Sequence, residues 1–202
     1  MLTSIGDVMR RCYQRGWITT RDGNISLRIQ NTLFITPSGC RKNLIHREHL
    51  VECDISDEGE LIVPNGIVPS GELEMHWLLQ KKCHDKPRAV VHVHATNIVA
   101  AMFAGFDIQT ISLQFPEIYR YTRVGPSVPA LPAVSKELAI ATSNCFDLLP
   151  NGQTSFDIVG QANHGVCSIG SDPWEAYEHI ERLEHICEIV LKSGLKVSDL
   201  KR

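Results

Sequence analysis

The sequence predicts an α/β domain whose helices layer against an antiparallel or mixed sheet, not a doubly wound parallel one. Three observations carry this: strand-like runs come in pairs around short polar turns, amphipathic helices open and close the chain, and only some strands are separated by helix-length crossovers. Ile5, Val8, Met9, Cys12 and Tyr13 recur at helical spacing, which predicts a helix over 3–16 ended by Gly16. Ile25–Ile29 and Thr32–Ile35 flank Gln30-Asn31 as a hairpin stopped by Pro37 and Gly39, and Leu50–Ile55 and Glu60–Val63 flank Asp57-Glu58-Gly59 as a second. A helix over 72–83 follows, with Ser70 as its cap. Arg88–His94 is short and β-branched and reads as a buried strand; Thr96–Ala104 reads as a helix ended by Gly105. Val124–Pro132 holds three prolines, which lack the backbone donors a helix needs. Ser135–Phe146 returns to helix, and Asp157–Val159 and Val166–Ile169 read as strands around an Asn163-His164-Gly165 turn. In the last helix Asp172 is the cap, Pro173 takes the first turn, Glu175 follows three residues after the cap, and Gly194 closes it.

The 202 residues suit one domain, 1–202, with a full core and no linker or repeat. Twenty basic against 23 acidic side chains leave a net charge of −3, so no basic field invites nucleic acid or an anionic membrane. No apolar run approaches the roughly 18 residues of a membrane span, and the start has no secretory signal pattern. Seven cysteines, an odd number without a Cys-x-x-Cys, argue against a disulfide framework or a thiolate zinc knuckle and for a reducing, cytoplasmic setting.

The nine histidines are the most informative feature. His92 and His94 lie two apart on a predicted strand, so both imidazoles face one side while Val91 and Val93 pack on the other. By chance a chain of this composition yields about 0.4 such pairs, so the pair alone is weak. His164 in its tight turn offers a third imidazole, and Glu72 stands in the first turn of a helix within Pro69-Ser70-Gly71-Glu72. Asp22-Gly23-Asn24-Ile25-Ser26 and Thr36-Pro37-Ser38-Gly39 are turns able to present backbone N–H groups to an anion. Three neutral imidazoles with one position open is a catalytic zinc pattern, since structural zinc usually fills all four positions, mostly with thiolate.

Gly23-Asn24-x-Ser26, Thr36-Pro37-Ser38-Gly39, Pro69-Ser70-Gly71-Glu72-(x)3-His76, His92-x-His94 and Asn163-His164-Gly165, in that order, resemble the class II aldolase/adducin family over essentially the whole chain. Within it, the chain is most similar to fuculose-1-phosphate aldolases. The resemblance implies a three-layer helix–sheet–helix domain around a central mixed, mainly antiparallel sheet. It implies His92, His94 and His164 as ligands of one Zn2+ per chain, a site that cobalt, nickel or manganese also suits. Glu72 becomes the acid/base, with a pKa drifting towards working pH in partly apolar surroundings. Gly23, Asn24, Ser38, Gly39, Ser70 and Gly71 become the holders of the substrate phosphate, backed by a helix N-terminus behind Ser70. The implied reaction is zinc-dependent cleavage of a (deoxy)ketose 1-phosphate into dihydroxyacetone phosphate and an aldehyde, the ion stabilising the enediolate. A tyrosine from the neighbouring subunit of a homotetramer serves the C4 hydroxyl, with Tyr119 the candidate and Tyr121 close behind.

The same scaffold hosts methylthioribulose-1-phosphate dehydratases, sugar-phosphate epimerases and decarboxylases, and non-catalytic adducin-like domains. Arg15-Gly16-Trp17 resembles the dehydratases, whereas Gly165-Val166-Cys167-Ser168 lacks their usual aromatic. Epimerases tend to carry Asp where Glu72 stands, and adducin-like domains have generally lost the ligands present here. Two departures from the aldolase pattern stand out: Gly71 replaces a second serine, and the stretch after the last helix, Leu195–Arg202, is shorter than the tail that covers some aldolase sites. His76 reads either as a support of the metal site or as a packed helix residue. His46, His49 and His84 read as solvent-facing, and His179 and His185 as off the apolar stripe. Trp17, Trp77 and Trp174 read as anchors of core or interface, and the cysteines as small buried hydrophobes.

Overall fold

The computed structural model describes residues 1–82, 88–147, 149 and 153–200; Cys83 at the expected end of the second helix and His84 lie outside them. Seven strands form one sheet: β1 (Asn24–Ile29), β2 (Thr32–Ile35), β3 (Val51–Ile55), β4 (Leu61–Ile62), β5 (Arg88–Val93), β6 (Ile158–Gln161) and β7 (Gly165–Gly170), in the order β4-β3-β2-β1-β5-β7-β6. Every pairing between these strands is antiparallel. This is the mainly antiparallel sheet expected: among the described residues parallel pairing comes only as isolated bridges from Val124 to Ile158 and from Val128 to Gln161, where the proline-rich stretch runs beside β6. Its missing donors keep it from being more than an edge contact.

The hairpins form where the sequence places them. Gln30 turns the first at φ +52° and Gly59 the second at φ +76°, and Asn163 turns the β6–β7 hairpin at φ +58°, a conformation Asn tolerates better than most residues. Helices α1 (Leu2–Gln14), α2 (Leu73–Lys82), α3 (Thr96–Phe103), α6 (Lys136–Cys145) and α7 (Pro173–Lys192) match the periodic segments. Asp172 accepts hydrogen bonds from Trp174 N at 2.7 Å and Glu175 N at 3.1 Å, as a helix cap should. Two short helices, α4 (Ile108–Leu113) and α5 (Pro116–Tyr121), occupy a stretch with no sequence expectation; at six residues each they give too few turns for periodicity to show.

Strand alternation divides the core into layers. Ile25, Leu27, Ala89, Val91, Val93 and Val166 pack under α1, α3 and α7. Val90, Val159, Cys167 and Ile169 face the other way, against Met75 and Leu79 of α2 and Ala139 of α6. Leu73 and Trp77 carry α2 on over Leu33, Ile35, Val51 and Cys53. The result is helix–sheet–helix, with β1, β5 and β7 side by side at the centre. In that register Asn24 lies opposite His92, His92 opposite Cys167 and Val93 opposite Val166.

Candidate active site

The register brings the three imidazoles together. His92 and His94 come from the end of β5, and His164 from the turn that leads straight into β7, the neighbouring strand. Their ring centroids lie 4.9–5.2 Å apart, and one donor atom from each ring falls within 4.8 Å of the others. Gly165 makes this approach feasible: a Cβ there would lie 2.5 Å from Val93 O and 3.0 Å from ring carbons of His92 and His94. No side chain fits that gap.

Glu72 arrives just before α2, the helix packed on the sheet face that carries Val90 and Cys167, with Ser70 Oγ accepting from its backbone N at 3.3 Å. Its Oε2 accepts from Asn24 Nδ2 at 2.9 Å and stands 3.3 Å from His92 Nε2. Asn24 is held in turn by His76, whose Nε2 meets Asn24 Oδ1 at 2.5 Å and whose Nδ1 meets Ser26 Oγ at 2.7 Å. Of the two readings of His76, the polar support is the one the contacts show; the ring is fully buried, and burial pushes its pKa down to about 3.

The donor set fits a divalent cation. His92 Nδ1 faces Val166 O at 3.0 Å and must carry the ring proton, because a carbonyl only accepts. Its Nε2 therefore presents a lone pair to the Glu72 carboxylate, an opposition of two acceptors that a cation would relieve. A backbone partner on the outer nitrogen is also how metal-ligating imidazoles are ordinarily oriented. Glu72 Oε1 and His164 Nδ1 are buried without a hydrogen-bond partner. Burial lowers the pKa of His92, of His94 and of His164, keeping the rings in the neutral form that ligates. Burial pushes Glu72 up, but positive charge on His92 or its neighbouring imidazoles, when they carry it, and the Asn24 hydrogen bond outweigh it, so its carboxyl sits below its ordinary value. The upward drift expected from sequence is thus reversed, because the surroundings of Glu72 are polar rather than apolar. Cys167, beside His92, is pushed well above its ordinary value by burial and offers no thiolate.

A cleft of about 250 Å³ opens over these groups, lined by Glu72, the three histidines and all six residues expected at the phosphate: Gly23, Asn24, Ser38, Gly39, Ser70 and Gly71. Backbone bonds from Ser38 N to Val68 O (2.9 Å) and from Ser70 N to Thr36 O (3.1 Å) clasp the second and third loops together. Gly39 takes φ +67°, which a side chain would strain. Gly71 also has a local reason: a Cβ there would meet Val134 Cγ1 at 3.0 Å, so a serine would crowd the facing wall. Asp22 of the first turn lines the cleft too, as do Arg21, Lys42 and Val134, which no motif announces. Lys42 is buried, its ammonium donating to Pro37 O and to Cys40 Sγ. The signal available was position alone, Arg21 preceding Gly23-Asn24 and Lys42 following Ser38-Gly39.

Tyr119 and Tyr121 do not reach this cleft within the chain; both are about half exposed on α5, and Tyr121 stacks with Arg120 and Arg182. His46, His49 and His185 are exposed, as expected. His179 is not the idle surface residue its place off the stripe suggested. It is buried, with Nδ1 at 2.8 Å from Thr122 Oγ1, because the chain leaving α5 covers that side of α7. Trp17 is buried against Tyr177, whereas Trp174 is partly exposed beside the same ring. Among the described cysteines Cys12, Cys53, Cys167 and Cys187 are buried, and Cys40 and Cys145 half-buried. No helix among the described residues is long and apolar enough to cross a membrane.

Known proteins share both the sequence and the architecture. An L-fuculose phosphate aldolase of Methanococcus maripaludis is 29% identical over 188 residues, spanning 93% of this chain and 94% of the relative. A 3-oxo-tetronate 4-phosphate decarboxylase of Haemophilus influenzae is 30% identical over 190 residues, 89% of this chain and 81% of the relative. Among solved structures, a sugar-phosphate aldolase from Thermotoga maritima superposes with a TM-score of 0.75 at 22% identity, covering 100% of this chain and 96% of its own. The l-fuculose-1-phosphate aldolase from Thermus thermophilus does so at 0.71 and 22%, covering 94% and 92%. The family model for the class II aldolase and adducin N-terminal domain matches residues 3–191, nearly the whole chain, and the protein is therefore a member of that family, an enzyme by its relatives.

Proposed function

We propose that this protein is a zinc-dependent class II aldolase, cleaving a (deoxy)ketose 1-phosphate of the fuculose 1-phosphate kind into dihydroxyacetone phosphate and an aldehyde. One observation carries the reading: three imidazoles and a carboxylate meet beside a cleft rimmed by three glycine-containing loops. A divalent cation on His92, His94 and His164 supplies Lewis acidity at the substrate carbonyl. The loop N–H groups, with Ser38, Ser70, Asn24 and Lys42, hold the phosphate and so fix where C3 and C4 lie. Cleavage needs the C4 hydroxyl to lose its proton as the C3–C4 bond breaks, and C3 to regain one. Glu72 serves C3. Tyr119, which is exposed and absent from its own chain's cleft, serves C4 from a neighbouring subunit of a homotetramer. The acidic balance and the odd cysteine count fit a cytoplasmic enzyme with neither nucleic acid nor membrane as partner.

The decarboxylase relative favours a second reading, a related sugar-phosphate lyase on the same groups. A panel of ketose and oxo-acid phosphates separates them. Release of dihydroxyacetone phosphate supports the aldolase; water loss from methylthioribulose 1-phosphate, or carbon dioxide release without dihydroxyacetone phosphate, overturns it. Glu72→Gln is expected to keep metal yet slow C3 proton exchange of dihydroxyacetone phosphate by about 10²- to 10⁴-fold.

A further inference from the structure

Behind Glu72 and Asn24 runs a buried chain of three side chains, His76, Ser26 and Gln80, that the chemistry above does not use. Gln80 Nε2 lies 3.0 Å from Arg88 O and 3.2 Å from Ser26 Oγ. Ser26 Oγ meets His76 Nδ1, His76 Nε2 meets Asn24 Oδ1, and Asn24 Nδ2 meets Glu72 Oε2. All five residues are buried. Burying so many polar groups is costly unless each is satisfied, and an apolar side chain at 76 would fill α2's inner face more simply.

The direction of this chain at His76 is fixed from the Glu72 end and matched from the other. At one end the Arg88 carbonyl can only accept, so the nitrogen of Gln80 must face it. That same nitrogen faces Ser26, whose hydroxyl proton is then free for His76 Nδ1. Gln80 keeps this orientation although its Oε1 is left buried without a partner. At the other end the Glu72 carboxylate only accepts, so Asn24 turns its amide nitrogen there and its oxygen to His76, whose Nε2 must donate. The Glu72 end demands one tautomer of His76, the neutral Nε2–H form, the Ser26 end accommodates it by donating to Nδ1, and burial keeps the ring neutral.

We propose that His76 is a positioning residue for Glu72. Held as the Nε2–H tautomer between Ser26 and Asn24, it aims the Asn24 amide at Glu72 Oε2 and so leaves Oε1, which has no partner, as the oxygen that carries the substrate proton. The catalytic half of this statement rests on the aldolase reading; the tautomer does not.

The test has two arms on the full-length, metal-loaded protein. Long-range proton–nitrogen NMR, with the His76 signals identified by their loss in His76→Gln, reads the ring directly. The expected result is an Nε2–H tautomer unchanged between pH 8 and pH 6; an Nδ1–H or doubly protonated ring overturns the proposal, whatever the enzyme turns over. In the kinetic arm His76→Leu is expected to retain metal and KM while kcat and C3 proton exchange fall about 10- to 100-fold. His76→Gln, which can donate to Asn24 and accept from Ser26, is expected to recover most of that loss. An unchanged kcat in His76→Leu, or a loss spread equally over KM and metal content, overturns it. Should the wild type release no dihydroxyacetone phosphate, the aldolase reading fails, and the tautomer result still decides the hydrogen-bonded chain.

Discussion

His92 Nε2 and Glu72 Oε2 stand 3.3 Å apart, both side chains buried, and neither holds a proton for the other. The His92 proton is committed to Val166 O on the far side of the ring, and the nearest donor to Glu72 is Asn24. A cation between them would relieve this opposition, so the metal-free protein is expected to be the less stable form.

Purified protein is therefore expected to carry about one divalent metal per chain and to melt at a lower temperature after chelation. At a thousandfold excess of metal over its dissociation constant the difference corresponds to about 4 kcal/mol. His92→Ala should abolish both the bound metal and the metal-dependent shift in melting. Metal analysis with calorimetry checks this, and a triple histidine variant that still binds one equivalent would refute the ligand assignment.

Gly165→Ala tests the close approach of β7 to β5. Its new methyl meets Val93 O and the rings of His92 and His94, so overpacking should cost about 1–3 kcal/mol and the imidazoles should part. Urea unfolding gives the first quantity and metal titration the second. A variant as stable and as tightly metallated as the wild type would show that the turn is freer than described.

Acid should weaken the fold through His179. Burial lowers its pKa below the ordinary value of about 6.5, so the unfolded chain binds a proton there that the folded chain refuses. Its contribution is complete above that ordinary value and is lost as pH falls from it towards the lowered folded value. The slope is at most about 1.4 kcal/mol per pH unit. His179→Gln keeps a partner for Thr122 and should flatten stability between pH 7 and pH 5.5, measured by urea unfolding of the metal-free protein. An equal slope in both proteins would remove His179 from this role.

Glu184 caps α3 from a different helix. Its carboxylate accepts from Asn97 N at 3.0 Å, Asn97 Nδ2 at 2.9 Å and Ile98 N at 2.9 Å, beside Ala95, which has no capping side chain of its own. Glu184→Ala should cost about 2–3 kcal/mol, because it leaves donors at a helix start without an acceptor. His94 precedes that helix by two residues, so metal affinity should fall too, with partial recovery in Glu184→Gln. Unfolding curves together with metal titration report both effects.

What the sequence discloses follows from how local each signal is. The Gln30-Asn31 and Gly59 turns, the Asp172 cap and the apolar stripe of α7 are decided by neighbours within a few residues, and the structure has them where the sequence puts them. The metal-ligand candidates were legible because residues two apart on a strand share a face, so His92 and His94 needed only the strand to be right. The mainly antiparallel sheet was legible from its hairpins, but the strand order was not, since nothing local tells β5 which neighbours it will take. The six-residue helices were too short for a period. The burial of His179 and Lys42 depends on segments distant in sequence, and no pattern around either residue announces it. Nor does any motif reveal the polarity of the Gln80–Glu72 chain; it emerges only when the carbonyl of Arg88 and the carboxylate at its far end are seen as its two fixed termini.

The placement of the ligands on adjoining central strands has a bearing on how the molecule matures. Slipping β5 by one rung would turn His92 over to the side of α1 and α7 and scatter the donors. An ion bound there would thus certify registry: it would be retained only by chains whose middle strands have zipped correctly, and those strands are far apart in sequence and meet slowly. Metal scarcity would then act on the yield of newly made protein as well as on turnover, by withholding the latch that makes correct assembly hard to reverse.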